Sequence, residues 1–188
     1  MYDGGGLAGA IHSVAFSPNG KLLAWGDNQF AITLWDIAAD RVKARLKGHA
    51  GTIRAVTFSP DGKTLASAGF DYKKGGTSIK LWEVLTTKEW RSFDFTYKQS
   101  GSFHCVAFDR TGQLFVSGDN SGVVKLWDLP AGNNMAILDD KDIAVYGLKF
   151  SPNGTTLAAV RSDGSLVLWS MPRVVVLKAS IDGSCVAW

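Results

Sequence analysis

The stretch Phe58-Ser-Pro-Asp-Gly62, followed by Leu81-Trp82-Glu83, defines the repeat of this 188-residue chain. Copies of the first motif occur as Phe16-Ser-Pro-Asn-Gly20, Phe108-Asp-Arg-Thr-Gly112 and Phe150-Ser-Pro-Asn-Gly154. The copies lie roughly 40–50 residues apart, a period typical of a supersecondary unit repeated along a chain. Four such units account for most of the sequence.

A leucine–tryptophan pair recurs in phase with this motif. The four copies are Leu34-Trp35-Asp36, Leu81-Trp82-Glu83, Leu126-Trp127-Asp128 and Leu168-Trp169-Ser170. The period and the terminal Trp-Asp are typical of a WD40 propeller blade. The sequence resembles the WD40-repeat family from about Ile11 to Trp188, which implies an all-β propeller of four-stranded blades. It predicts a Gly-rich leader at 1–10, blades at 11–47, 48–95, 96–140 and 141–180, and the first strand of a fifth blade at 181–188.

The second copy shows why strands form. Apolar residues at 53, 56 and 58 predict a first strand, and short β-branched or aromatic runs predict others at 64–67, 79–82 and 88–93. Between the first two lies Ser59-Pro-Asp-Gly62, in which proline presets φ and glycine accepts positive φ. A β-hairpin is therefore expected at this point.

The outer strand of the first copy, Arg41-Val-Lys-Ala-Arg-Leu-Lys47, alternates basic and apolar residues. Two interpretations remain open. The basic residues either protect a sheet edge from pairing with another chain, or form a basic rim for an acidic partner.

Composition indicates an ordered domain without a strong charge bias. The net charge of +3 is dispersed, so no nucleic-acid or membrane partner is expected, and 46% hydrophobic residues supply a core. Cys105 and Cys185 occupy equivalent repeat positions, where reduced buried thiols are expected. No secretory signal is recognised, which predicts the cytoplasm, with the nucleus as the alternative.

An outer strand is expected at 174–178, and 182–188 restarts a first strand with Trp188 in the Phe position. Propellers close with about 4–8 blades, so an open arc would expose two apolar faces. Either the 188 residues are part of a longer propeller, which is the preferred interpretation, or copies of the chain associate to complete a ring.

The WD40 resemblance also implies a buried hydrogen-bonded set in the second blade, formed by His49, Ser67, Asp71 and Trp82. Such a set satisfies polar groups that burial would otherwise leave unpaired. A catalytic triad from the same residues is rejected, because the resemblance makes the set structural. The sequence predicts no catalytic residues, no metal site and no cofactor; G-x-G-x-x-G at 4–9 follows no strand and opens no helix.

Large polar or aromatic residues stand four positions before each Phe anchor. They are His12, Arg54, His104 and Tyr146, with Ser184 in the last, partial copy. By the WD40 resemblance, this is the rim of the central opening, on the face where partners dock. Side chains of these types often anchor interfaces; the alternative is a solvated rim that tolerates any polar residue.

The second copy carries about five extra residues between its second and third strands. They predict an expanded loop at 70–77, on the same face as the rim, where Tyr72, Lys73 and Lys74 extend a contact surface toward an acidic partner. Loop insertions are often merely tolerated, which is the competing interpretation.

These observations predict a non-catalytic WD40 scaffold that holds a protein or peptide partner through its rim and loops. The alternative is a regulatory propeller segment of a larger signalling protein, such as a nucleotide-switch ATPase or a kinase.

Overall fold

The computed structural model describes residues 9–73, 75–96, 101–140 and 142–171, and this part of the chain folds into strands without a helix. The first sheet contains β1 Ile11–Phe16, β2 Leu22–Asp27, β3 Ala31–Asp36 and β4 Arg41–Lys47. The second contains β5 Ile53–Phe58, β6 Thr64–Asp71, β7 Gly76–Glu83 and β8 Glu89–Thr96. The third contains β9 Phe103–Phe108, β10 Leu114–Asp119, β11 Val123–Asp128 and β12 Asn133–Asp140. The fourth contains β13 Val145–Phe150, β14 Thr156–Arg161 and β15 Leu166–Ser170.

Every sheet is an antiparallel meander in sequence order. The all-β fold class predicted from the sequence is therefore confirmed. Three sheets have the four strands expected of a blade, and the fourth has three within the described residues. The outer strand predicted at 174–178, the partial fifth blade at 181–188 and Cys185 lie outside the described residues.

The core consists of apolar layers between successive sheets. One layer joins the first and second sheets, and others join the second to the third and the third to the fourth. The first strands of the sheets pack side by side, β1 against β5, β5 against β9 and β9 against β13. These four strands are therefore the inner strands of the arc.

The Phe anchor motif builds the turn from the first to the second strand. In the second sheet, Gly62 has a φ of 70°, and its N–H donates to the Ser59 carbonyl at 2.9 Å. The Ser59 hydroxyl donates to Asp61 Oδ1 at 2.6 Å and accepts the Thr64 N–H at 3.0 Å. The motif recurs because each of these residue types satisfies one requirement of this turn.

The insertion in the second copy lengthens a hairpin and does not form the expanded loop that we predicted at 70–77. Phe70 pairs with Thr77, and Asp71 pairs with Gly76, so the ladder continues to a short turn. Gly75 closes that turn with a φ of 59°. The prediction was wrong because aromatic and β-branched residues favour strand pairing once glycine supplies the turn.

Apolar side chains are exposed on both terminal sheets. On the first sheet these are Ile11, Val14 and Phe16, and on the fourth they are Val160, Leu166 and Leu168, each at least 50% exposed. Equivalent strands of the middle sheets are covered by a neighbouring sheet. Completion of a ring by further blades or by another copy stays a prediction.

Candidate functional site

One end of the arc collects the residues that the sequence singled out. Antiparallel pairing places Ile11 opposite Asp27, Ile53 opposite Gly69, and Phe103 opposite Asp119. The starts of the inner strands therefore lie at the same end as the turns between second and third strands. We call this end the upper face.

Three of the predicted rim side chains lie on neighbouring inner strands of the upper face. Arg54 on β5 and Tyr146 on β13 are exposed, and His104 on β9 between them is half-buried. The rings of His104 and Tyr146 stack, with centroids 5.5 Å apart and planes 23° apart. His12 occupies the matching position on β1 and is exposed. Ser184 lies outside the described residues.

The electrostatics of the rim favour a neutral His104. Burial, and secondarily the positive charge of Arg54, hold the pKa of His104 below its ordinary value. At neutral pH the rim therefore presents one guanidinium beside a neutral, stacked aromatic pair.

An aromatic cluster stands on the same face between the first two sheets. Tyr72 is exposed and stacks on Phe70 at 5.8 Å between centroids, while Phe30 of the first sheet is 5.7 Å from the Tyr72 ring. The Tyr72 hydroxyl lies 3.2 Å from Thr52 Oγ1. Of the two predicted lysines, Lys73 is exposed, and Lys74 lies outside the described residues. The lengthened hairpin thus places one aromatic and one basic side chain on this surface.

Beneath the upper face, the second sheet contains a buried hydrogen-bonded group. The Trp82 indole N–H donates to Ser67 Oγ at 2.8 Å, and His49 Nε2 lies 2.6 Å from the same oxygen. His49 Nδ1 lies 3.1 Å from Ser78 Oγ, a residue that the sequence analysis did not single out. The fourth predicted member, Asp71, ends β6, where its Oδ1 accepts the Lys73 N–H at 3.0 Å.

Burial keeps this group uncharged. It lowers the pKa of His49 to about 3, with a smaller contribution from the nearby Lys80. His49 is therefore neutral at physiological pH, as suits a structural side chain with both ring nitrogens in hydrogen bonds.

Two carboxylates that end second strands turn inward at the upper face, whereas several basic groups face solvent. Asp27 and Asp119 end the second strands of their sheets, are nearly inaccessible, and accept turn N–H groups. Lys47, Arg54 and Lys73 are exposed. On the first two sheets these exposed basic groups are accompanied by the exposed carboxylate of Asp94, so this part of the upper face carries a small excess of positive charge.

In the fourth sheet, the residue that ends the second strand is basic and not acidic. Arg161 ends β14, the position that Asp27 and Asp119 occupy in their sheets. Its guanidinium forms a buried ion pair with Asp139 on β12 of the third sheet. This pair ties two neighbouring sheets together and leaves neither charge available to a partner.

The described residues contain no group of three or more His, Cys, Asp or Glu side chains that could hold a metal ion. No helix in this part of the chain is long and apolar enough to cross a membrane.

Comparison with known sequences connects the geometry to a family. The profile of the WD domain, G-beta repeat, matches residues 41–83, 92–128 and 132–170, more than half of the chain. The chain belongs to the WD40 family. Each matched WD40 repeat begins on or just before the outer strand of one sheet and ends on the third strand of the next. The family is defined by a structural repeat, and WD40 proteins are generally non-enzymatic scaffolds.

Several known WD40 proteins are similar to this chain. WD repeat-containing protein 91 of Danio rerio is 28% identical over 50% of this chain and 13% of its own length. Transcription initiation factor TFIID subunit 5 of Caenorhabditis elegans is 23% identical over 94% of this chain and 26% of its own length. Target of rapamycin complex subunit LST8 of Bos taurus is 23% identical over 40% of this chain and 23% of its own length. The chain thus spans only a minor part of each relative.

Sequence reasoning missed three features of the WD40 upper face. Phe30 was not identified, although aligning the turns would have shown it where Gly122 and Gly164 stand. Ser78 was missed because the insertion obscured the register of the second hairpin. The ion pair between Arg161 and Asp139 joins residues of different sheets, and no local sequence pattern marks it.

Proposed function

We propose that this WD40 chain is a non-catalytic interaction platform that holds a protein or peptide partner on its upper face. The observation that carries the proposal is the contiguous rim of Arg54, His104 and Tyr146 on three neighbouring inner strands. Arginine and tyrosine are among the side chains that most often dominate binding energy at protein interfaces. A rigid sheet framework holds them, so a partner meets a largely preformed surface.

The relatives support this proposal. Two of those named above are by name subunits of larger assemblies, the TFIID subunit and the target of rapamycin complex subunit. WD40 repeat proteins typically bind protein partners and complex subunits. The alternative function is a regulatory segment within a larger signalling protein.

A comparison of two rim variants, Arg54→Ala and Tyr146→Ala, with one control variant tests the proposal. Arg54→Ala removes the exposed guanidinium of the rim, and Arg110→Ala removes an exposed guanidinium from a turn at the opposite end of the strands. Proteins captured by the tagged chain from cells are quantified by mass spectrometry. We expect the same captured proteins to be depleted with Arg54→Ala and with Tyr146→Ala, and kept with Arg110→Ala. Equal capture by all variants would reject the rim as the binding surface.

A further inference from the structure

Phe30 adopts a backbone conformation that favours glycine. The turn between the second and third strands contains a left-handed residue in every sheet. In three sheets this residue is glycine, namely Gly75, Gly122 and Gly164, with φ of 59°, 88° and 82°. In the first sheet it is Phe30, with a φ of 70°. A bulky residue is strained at positive φ, so turn formation alone does not explain a phenylalanine here.

The surrounding structure holds this strained turn in place. Asp27 Oδ1 accepts the N–H of Gln29 at 2.9 Å and the N–H of Ala31 at 3.2 Å, one residue on each side of Phe30. Asp27 Oδ2 also lies 3.3 Å from Arg45 Nη2. Strain that is fixed by its surroundings occurs preferentially at binding and catalytic sites. The Phe30 ring is 39% exposed, so the strain does not serve core packing.

An open cavity of about 400 Å³ lies beside this ring, lined by the first sheet and by the segment that leads into the second. Its lining includes Gln29, Phe30, Arg45, Lys47, Gly48 and His49. The volume lies within the range of about 300–1,000 Å³ that is usual for ligand pockets. The cavity therefore combines one aromatic wall, two basic side chains and an amide.

The charge balance of the cavity favours an anion. The carboxylate of Asp27 is occupied by Arg45 and the turn amides. Glu89, which approaches Gly48, is paired with Lys80 Nζ at 2.9 Å. Lys47 makes no ion pair within the part of the chain that the structure describes. The negative charge of Asp94 also reaches His49, and its Oδ1 accepts the Ser92 hydroxyl at 3.1 Å. Lys47, which lines the cavity, therefore carries a positive charge that no ion pair of the described residues neutralises.

His49 supplies a neutral wall. Both of its ring nitrogens are already in hydrogen bonds with Ser67 and Ser78. The histidine therefore adds shape to the cavity, and recognition of an anion falls to Lys47, since Arg45 already pairs with Asp27.

We propose that this cavity binds an acidic side chain of a linear peptide segment, and that an adjacent apolar side chain of the same segment packs on Phe30 and Tyr72. The segment belongs to a partner docked on the upper face, so the inference rests on the proposed function. A carboxylate here pairs with Lys47 and lies beside the guanidinium of Arg45. Exposed Lys73 at the tip of the neighbouring hairpin extends the same positive surface.

The experiment uses a phage-displayed library of random short peptides, selected on the full chain. Selected peptides are then measured by fluorescence anisotropy. We expect them to be enriched in Asp or Glu next to a large apolar residue. Phe30→Gly should weaken their binding by about tenfold or more, the loss that follows removal of an interface anchor. Its melting temperature should be unchanged or higher, because glycine relieves the left-handed turn. Phe30→Tyr should keep the affinity.

A second pair of variants separates local charge from net charge. Lys47→Glu reverses a charge in the cavity, and Lys63→Glu makes the same change on an exposed lysine at the opposite end of the strands. We expect weakened binding for the first and unchanged binding for the second.

Three results would overturn the inference. In the first, the selected peptides are not acidic. In the second, Phe30→Gly and Lys47→Glu bind them as the unchanged chain does. In the third, binding is lost with Arg54→Ala or Tyr146→Ala and kept by both cavity variants; this would remove the cavity site and leave the rim proposal standing. Selected peptides that are insensitive to the rim and cavity variants alike would remove the cavity site, and the capture experiment with Arg54→Ala would then decide the rim proposal.

Discussion

Replacing Ser67 by alanine tests the buried hydrogen-bonded group of the second sheet. Ser67 is fully buried, and its hydroxyl is bonded to both Trp82 Nε1, at 2.8 Å, and His49 Nε2, at 2.6 Å. Alanine fits the same space, so the main effect is the loss of one oxygen. Two buried polar atoms then lack that partner, and each such loss costs about 1–3 kcal/mol. We therefore expect the free energy of unfolding to fall by about 2–6 kcal/mol.

The third sheet provides a matched control. Ser117 is equally buried and accepts the Trp127 indole N–H at 2.9 Å. Ser117→Ala removes an acceptor from one indole, without a histidine in the group, and should cost about 1–3 kcal/mol. The difference between the two variants measures mainly the contribution of His49, with a smaller part from the Ser67 hydroxyl, which lies 3.4 Å from the Lys80 carbonyl.

Urea denaturation followed by tryptophan fluorescence gives both values. For a chain of this size, each kcal/mol corresponds to roughly 2–4 °C in melting temperature, so thermal unfolding provides a second reading. If Ser67→Ala were no more destabilising than Ser117→Ala, the histidine would contribute nothing and the assigned group would be wrong.

Two further outcomes follow from buried ionisable side chains. The unfolded chain protonates His49 below about pH 6.5, whereas the folded chain does so only near pH 3, so stability should fall on acidification by about 1.4 kcal/mol per pH unit from this group. His49→Gln should flatten that slope in denaturation curves recorded across this range. Arg161→Leu leaves Asp139 without its buried partner and should cost about 3–5 kcal/mol. The double variant with Asp139→Leu should recover most of that loss; a double variant as unstable as the single one would show that the ion pair is not what Arg161 contributes.

The fold follows from local sequence signals, because each of them makes a specific contact. Gly62 has the positive φ that its turn motif predicts, and the Trp82 and Trp127 side chains are buried between sheets. The inner-strand positions of Arg54, His104 and Tyr146 follow from counting back from the Phe anchors. These features recur in successive sequence repeats, so the assignment made in one repeat supports the same assignment in the others.

Features that do not recur in every repeat could not be predicted from the sequence and became visible only in the structure. The hairpin of β6 and β7 extends to Asp71 and Gly76, because the inserted residues can pair as well as loop. The conformation of Phe30 depends on Asp27 accepting hydrogen bonds on both sides of it, which residue type alone does not reveal. The cavity beside Phe30 is lined by the first sheet and the segment that follows it, and it has no sequence signature.

The layered core has a consequence for how such a chain can change over time. Each apolar layer is shared by only two neighbouring sheets. When one sheet is duplicated, lost or exchanged, apolar side chains therefore have to fit anew in no more than two of these layers. The other layers keep their packing. Phe30 and Arg161 each occur at their position in one sheet only, so they are local specialisations. Each of them could be transferred to another propeller together with the two sheets that surround it.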